Sequence, residues 1–240
     1  MERKFKFSLG EHYHIFNRGI EKRQVFFSDD DYFRFLILLF VSNNTKRIHL
    51  SSFNIDSFKN LFLNNPKETL VDIGAYCILP NHFHLLLKEK REGGISKFMS
   101  KLMTSYAMYF NKRYGRTGPL FNRPFRAKHI DNDEYLKYIY AYIHLNVFDI
   151  FKKGWRENPK LLNQADYSKL KKYKYSSYSD YVKIDRVESK ILNKQAFPDY
   201  FDNSSQLFKE FIDEWLLIKE EQTEGEPLRT PLKGSPWKDI

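Results

Sequence analysis

The stretch Val71-Asp72-Ile73-Gly74-Ala75-Tyr76-Cys77-Ile78-Leu79-Pro80-Asn81-His82-Phe83-His84-Leu85-Leu86-Leu87-Lys88 holds two apolar runs divided by Pro80-Asn81. The first run, Val71 to Leu79, is predicted as a strand, Pro80-Asn81 as its turn, and His82 to Lys88 as the returning strand of a hairpin. A strand turns successive side chains to opposite faces, so His82 and His84 share one face while Phe83 points into the core. Two neutral imidazoles side by side can bind a divalent metal, but ligation needs a third group that a strand does not easily supply alone.

Working outward, Glu11 to Phe16 alternates polar and apolar residues and is expected as a first strand, broken by Asn17-Arg18-Gly19. Ser28 to Asp31 offers a helix cap ahead of Phe33, Phe35, Leu36, Leu38, Leu39 and Phe40. Ser42 to Lys67 is rich in Asn and Ser and is expected as a loop or an insertion with a short helix. Gly93-Gly94 precedes a long helix from about Ile95 to Arg113. Gly115 to Pro119 is a turn, Phe125 to Ile130 a short fourth strand, and Asp131 the expected cap of a helix reaching about Asn146. The order is β-α-β-β-α-β followed by a helix. It predicts an α+β fold, a ferredoxin-like antiparallel sheet with helices on one face and an added C-terminal catalytic helix. Ser205 to Glu220 has amphipathic spacing, and the last twenty residues are expected as a tail.

The 240 residues carry 40 Lys and Arg against 30 Asp and Glu, a formal charge of +10. From Lys88 to Lys128, eleven basic residues face only Glu89 and Glu92, so this stretch holds +9. Tyr106, Tyr109, Phe110, Tyr114, Phe121 and Phe125 interleave with the cations, a pattern that favours nucleic acid over a merely solvated face. Arg18, Lys112, Arg113, Arg116, Arg123, Arg126 and Lys128 are the candidate DNA-binding cations. Cys77 is the single cysteine, which excludes an intramolecular disulfide framework and a Cys-rich zinc site. No run reaches the roughly 18 apolar residues of a membrane span, so the expectation is a cytoplasmic, nucleoid-associated protein.

The helix Asp133 to Asn146 gives the histidine pair its context. Tyr142 and Asn146 are four apart and share a helix face. From there Asn146 can offer an amide oxygen as third ligand while Tyr142 presents its hydroxyl. Tyr138 lies one turn earlier, and Tyr140 projects about 160° away at 100° per residue. His129 and His144 are expected as surface or hydrogen-bonding residues.

Pro80-Asn81-His82-Phe83-His84-Leu85-Leu86, followed by Tyr142-Ile143-His144-Leu145-Asn146, resembles the HUH single-tyrosine transposases of the insertion-sequence-200 type, most closely the REP-associated tyrosine transposases. Tyr13 to Gly19, Gly115 to Phe121 and Tyr175-Ser176-Ser177-Tyr178 resemble segments of the same family, so the likeness spans roughly residues 8 to 183. It implies a metal-dependent single-strand DNA endonuclease and strand-transferase acting through a 5′-phosphotyrosine. Tyr142 is then the nucleophile, and His82, His84 and Asn146 hold Mg²⁺ or Mn²⁺. The expected partner is single-stranded or hairpin DNA, bound by a monomer or a homodimer without a membrane. The family often has Pro after the Asn, where this chain has Val147. Residues 1–185 are expected as the transposase domain, with its insertion at about 42–67, and 186–240 as a helical extension and tail. Two alternatives remain open: a non-catalytic single-stranded nucleic-acid-binding module of ferredoxin-like fold, and a phosphohydrolase using activated water, which does not need Tyr142.

Overall fold

A computed structural model describes residues 6–46, 62 and 68–221 of the chain. Four strands form one antiparallel sheet: β1 (His12–Arg18), β2 (Val71–Leu79), β3 (His82–Glu89) and β4 (Arg126–Ile130), in the order β2-β3-β1-β4. With α1 (Asp29–Ser42) after β1 and α2 (Gly94–Arg113) after β3, this is the ferredoxin-like arrangement. The hairpin pairs Leu79 with His82 and Cys77 with His84. β1 lies beside β3, setting Arg18 opposite His82 and Phe16 opposite His84.

The alternation of the strands divides the interior into two apolar cores. Tyr13, Ile15, Ile73, Tyr76, Ile78, Phe83, Leu85 and Leu87 pack with α1 and α2. Ala75, Cys77, Leu79 and Leu86 face the other way, against α3 (Asp133–Leu145). The expectation of helices on one face is therefore corrected: the sheet is covered on both. A single apolar face is enough for α2, but α3 is buried almost all round, and a helix without a solvated face needs a second layer outside it. That layer comes from α4 (Phe148–Phe151), α5 (Gln164–Lys172), α6 (Tyr178–Tyr181) and α7 (Ser205–Glu221). Phe208, Ile212 and Leu216 of α7 are buried in the core that holds α3.

Local chemistry sets the element ends. Asp31 closes a capping box with Ser28 at the start of α1, two buried Glu89 oxygens accept from the amides of Gly94 and Ile95 at the start of α2, and Asn132 caps α3 by accepting from Tyr135 N at 2.7 Å. The α3 cap is thus Asn132 rather than Asp131, one residue later than the capping-box spacing suggested. Gly74 sits at a bulge between Ile73 and Ala75. A Cβ there would lie 2.8 Å from the Phe197 ring, so only glycine admits that close approach. Most of the 42–67 stretch, and the tail after Glu221, lie outside the described residues. Among the described residues no helix is long and apolar enough to cross a membrane.

Candidate active site

Three segments far apart in sequence are tied together at one end of the sheet. Gly19 N donates to Asn81 O at 2.8 Å, Val25 N to Pro80 O at 2.8 Å, and Asn122 N to Arg18 O at 3.0 Å. The Asn17 side chain donates to Asn122 O at 2.9 Å and accepts from Arg18 N at 2.9 Å. β1 thus runs through Asn17 and Arg18, past the break expected there, because both pair with β3, and Gly19 alone turns the chain beside the β2–β3 hairpin. A Cβ on Gly19 would lie 2.3 Å from Arg23 O, so the close approach of that loop requires glycine.

His82 and His84 stand on the face turned toward α3, with ring centroids 5.0 Å apart. Each ring has one nitrogen engaged. Asn81 Nδ2 donates to Lys22 O at 3.1 Å, which turns Asn81 Oδ1 toward His82 Nδ1 at 2.6 Å. An amide oxygen only accepts, so His82 Nδ1 carries the proton and its Nε2 is a bare acceptor. His84 Nδ1 lies 2.9 Å from Nε2 of His14, and His84 Nε2 is buried without a hydrogen-bond partner. Burial lowers the pKa of all three imidazoles. His14 is pushed down to about 3, with the Lys128 charge as a second cause. His82 is pushed down to about 3, with Arg18 as a second cause. His84 falls well below its ordinary value, helped by its two histidine neighbours. All three are neutral at pH 7, the state in which imidazole ligates a metal.

Tyr142 meets these rings from α3. Its centroid is 5.3 Å from His84 and 5.4 Å from His14, both edge-on. Tyr138 instead packs against Tyr135, Tyr142 and Trp215. Tyr140 turns away into Tyr181, Phe197, Tyr200 and Phe201. Burial raises the Tyr142 pKa, so the hydroxyl is protonated at neutral pH. The positive charge of Arg156 and a hydrogen bond from Asn146 pull the other way. Asn146 caps α3, its Nδ2 donating to Tyr142 O at 2.7 Å and its Oδ1 accepting from Arg156 Nη2 at 2.5 Å. Arg156 in turn grips Asp149 with two bonds of 2.9 and 2.6 Å and lies over the Tyr142 ring at 5.4 Å. Val147 adopts helical dihedrals as the N-cap residue of α4, so the chain passes in near-helical form from α3 into α4.

His144, on the far side of α3, is fully buried and donates from Nδ1 to Tyr140 O at 2.7 Å. That leaves its Nε2 to accept from the Ser177 hydroxyl at 2.7 Å. Ser177 also receives Tyr76 N at 2.9 Å, and Ile78 N donates to Tyr175 O at 2.9 Å. The Tyr175-Ser176-Ser177-Tyr178 segment thus ties β2 to α3. His129 is exposed and bonded to Glu11 at 2.7 Å.

The candidate cations divide into two groups. Arg18 lies opposite His82, Arg126 opposite Phe16 and Lys128 opposite His14, all on the histidine face. Lys112 and Arg113 end α2, on the layer behind the sheet. Arg113 is paired with Asp30 at 2.9 Å, and Arg116 bonds Asn111 at 3.3 Å. Arg123 is exposed in the loop before β4. Sequence reasoning gave no role to His14, Asn81, Asp149 or Arg156. The first was legible in principle, since β1 alternation puts His14 on the inward face of a strand beside the pair. Nothing in the sequence signals Arg156. Among the described residues no group of three or more His, Cys, Asp or Glu is placed to hold a metal ion. The neutral pair still fits a divalent metal whose remaining ligands are amide or phosphate oxygens.

The family model described as "Transposase IS200 like" matches residues 10–146. That span begins just before β1 and closes on Asn146. A comparison with curated proteins finds no match. Among solved structures, the fold is similar to "Structure of the REP associates tyrosine transposase bound to a REP hairpin", with a TM-score of 0.46 and 12% identity over 78% of this chain and 90% of that chain.

Proposed function

Because the chain belongs to the IS200-like transposase family, we propose that it is a single-strand DNA endonuclease and strand-transferase working through a 5′-phosphotyrosine. The observation that carries the reading is the packing of Tyr142 on His84, on the face where the sheet presents two neutral imidazoles side by side. A non-catalytic binding module has no need of that combination.

His82 and His84 are the residues that would hold Mg²⁺ or Mn²⁺, with the Asn146 amide oxygen as third ligand once Arg156 gives it up. When bound, the metal supplies Lewis acidity toward the scissile phosphate. Tyr142 Oη gives up its proton and forms the bond to phosphorus as the P–O3′ bond breaks, and the departing oxygen takes up a proton in exchange to become a free 3′-hydroxyl. The phosphotyrosine keeps the energy of the phosphodiester, so the strand is rejoined elsewhere without a nucleotide cofactor. Arg18, Arg126 and Lys128 bind the DNA backbone on this face, with Lys112, Arg116 and Arg123 extending the track around the sheet edge, while Arg113 is held by Asp30 and adds little. Residues 1–185 carry this chemistry, and α7, from the extension after them, supports it from outside α3.

The test is incubation of the full chain with labelled, hairpin-flanked single-stranded DNA and Mn²⁺, followed by denaturing electrophoresis. The reading expects cut DNA and a covalent protein–DNA band. Retained binding with neither product would favour the binding module, and cutting without the covalent band would favour attack by water.

A further inference from the structure

His14 sits at the centre of the site yet belongs to none of the groups assigned above. It is fully buried, its ring stacks on that of His84 at 5.1 Å, and its Nε2 is 2.9 Å from His84 Nδ1. One proton lies between those two nitrogens, and its owner decides what His84 can do. If His14 donates, His84 carries its proton on Nε2, facing the metal position, and cannot ligate there. If His84 donates from Nδ1, its Nε2 is bare, matching the bare Nε2 that Asn81 enforces on His82.

We propose that His14 is a positioning residue that accepts the Nδ1 proton of His84 and so holds its Nε2 unprotonated toward the divalent metal. The proposal rests on the metal reading given above. The two ligands are then prepared by different means: His82 by an amide oxygen in the hairpin turn, His84 by a second imidazole on the neighbouring strand. Groups that orient a ligating imidazole in this way are worth about 10- to 100-fold in metal affinity. His14 also contacts Tyr142 at 5.4 Å, so one buried ring sets the angle of both the ligand and the attacking residue.

Two measurements test it. The first is the ¹⁵N spectrum of the His84 imidazole in metal-free wild-type protein, identified by its loss in His84→Gln. A protonated Nδ1 and bare Nε2 is the expected result; a protonated Nε2 overturns the proposal, and this readout is independent of any metal. The second is Mn²⁺ affinity by titration calorimetry. His14→Phe keeps the ring but has no acceptor, and should weaken Mn²⁺ binding about 10- to 100-fold. His14→Gln, whose amide oxygen reaches the position of Nε2, should stay within a few-fold of wild type. Equal affinity in all three proteins overturns the proposal. No Mn²⁺ binding by wild type, with the expected spectrum, would instead sink the metal reading and leave the hydrogen-bond assignment standing.

Discussion

The ring of Tyr142 stands perpendicular to that of His84, with centroids 5.3 Å apart. This contact joins α3 to β3 across the second core, and it separates Tyr142 from Tyr138 and Tyr140 on the same helix. Tyr142→Phe keeps the contact and removes only the hydroxyl. Cleavage and the covalent adduct should both fall by about 10³-fold or more, while DNA affinity and melting temperature stay near wild type. Tyr140→Phe should remain active. An adduct that survives Tyr142→Phe would assign the chemistry to another residue, to be found by peptide mapping.

Removal of either imidazole tests the metal ligands. His82→Ala and His84→Ala should each abolish cleavage and leave single-strand DNA binding within a few-fold, because phosphate contacts come from the cations rather than from the pair. Full cleavage by the double variant would rule the pair out.

The cations are expected to differ from one another. Arg123→Ala with Arg126→Ala should weaken binding and lower the slope of log affinity against log salt by about 1.4, at about 0.7 per lost single-strand phosphate contact. Arg113→Ala should change it much less, since Arg113 is already paired with Asp30 on the layer behind the sheet. Equal slopes in both variants would show that position on the sheet is irrelevant to binding.

Arg156 closes the site by joining Asn146 to Asp149. Arg156→Ala leaves the buried Asn146 oxygen without that donor and should cost about 1–3 kcal/mol in urea unfolding. Arg156→Lys should recover only part of it, because an ammonium cannot form the two-pronged grip on Asp149. A wild-type unfolding curve for Arg156→Ala would mean that the lock contributes nothing to the fold.

Acid should unfold the metal-free protein through its buried histidines. His14, His82 and His144 are held neutral down to about pH 3 in the fold, against an unfolded value near 6.5. Each therefore stabilises the fold fully above about pH 6.5, and loses about 1.4 kcal/mol per pH unit as pH falls toward 3, because only the unfolded chain takes the proton. Urea midpoints measured from pH 7 to 5 should drop steeply. His144→Asn should take up about one proton fewer on unfolding, and an unchanged slope in that variant would contradict the assignment.

The sheet and the histidine pair were legible because strand alternation and the Pro80-Asn81 turn are local signals. Tyr142 and Asn146 were legible because helical spacing fixes which residues share a face. The second layer was not. Whether α3 has a wet or a dry outer side depends on Phe208, Ile212 and Leu216, more than sixty residues later, and local periodicity carries no record of that. Arg156 was hidden for the same reason: its partners Asn146 and Asp149 meet it only after the chain turns back at Gly154.

The layer outside α3 also orders events in time. The sheet and α3 leave the ribosome well before α7, and until α7 arrives Tyr138 and His144 lack their contacts with Trp215 and Phe208, which leaves part of the outer side of α3 uncovered. A nascent chain therefore holds both imidazoles and Tyr142 before the helix bearing Tyr142 is pressed into place. A copy that stops short of α7 is expected to keep that surface exposed, and so to be prone to association.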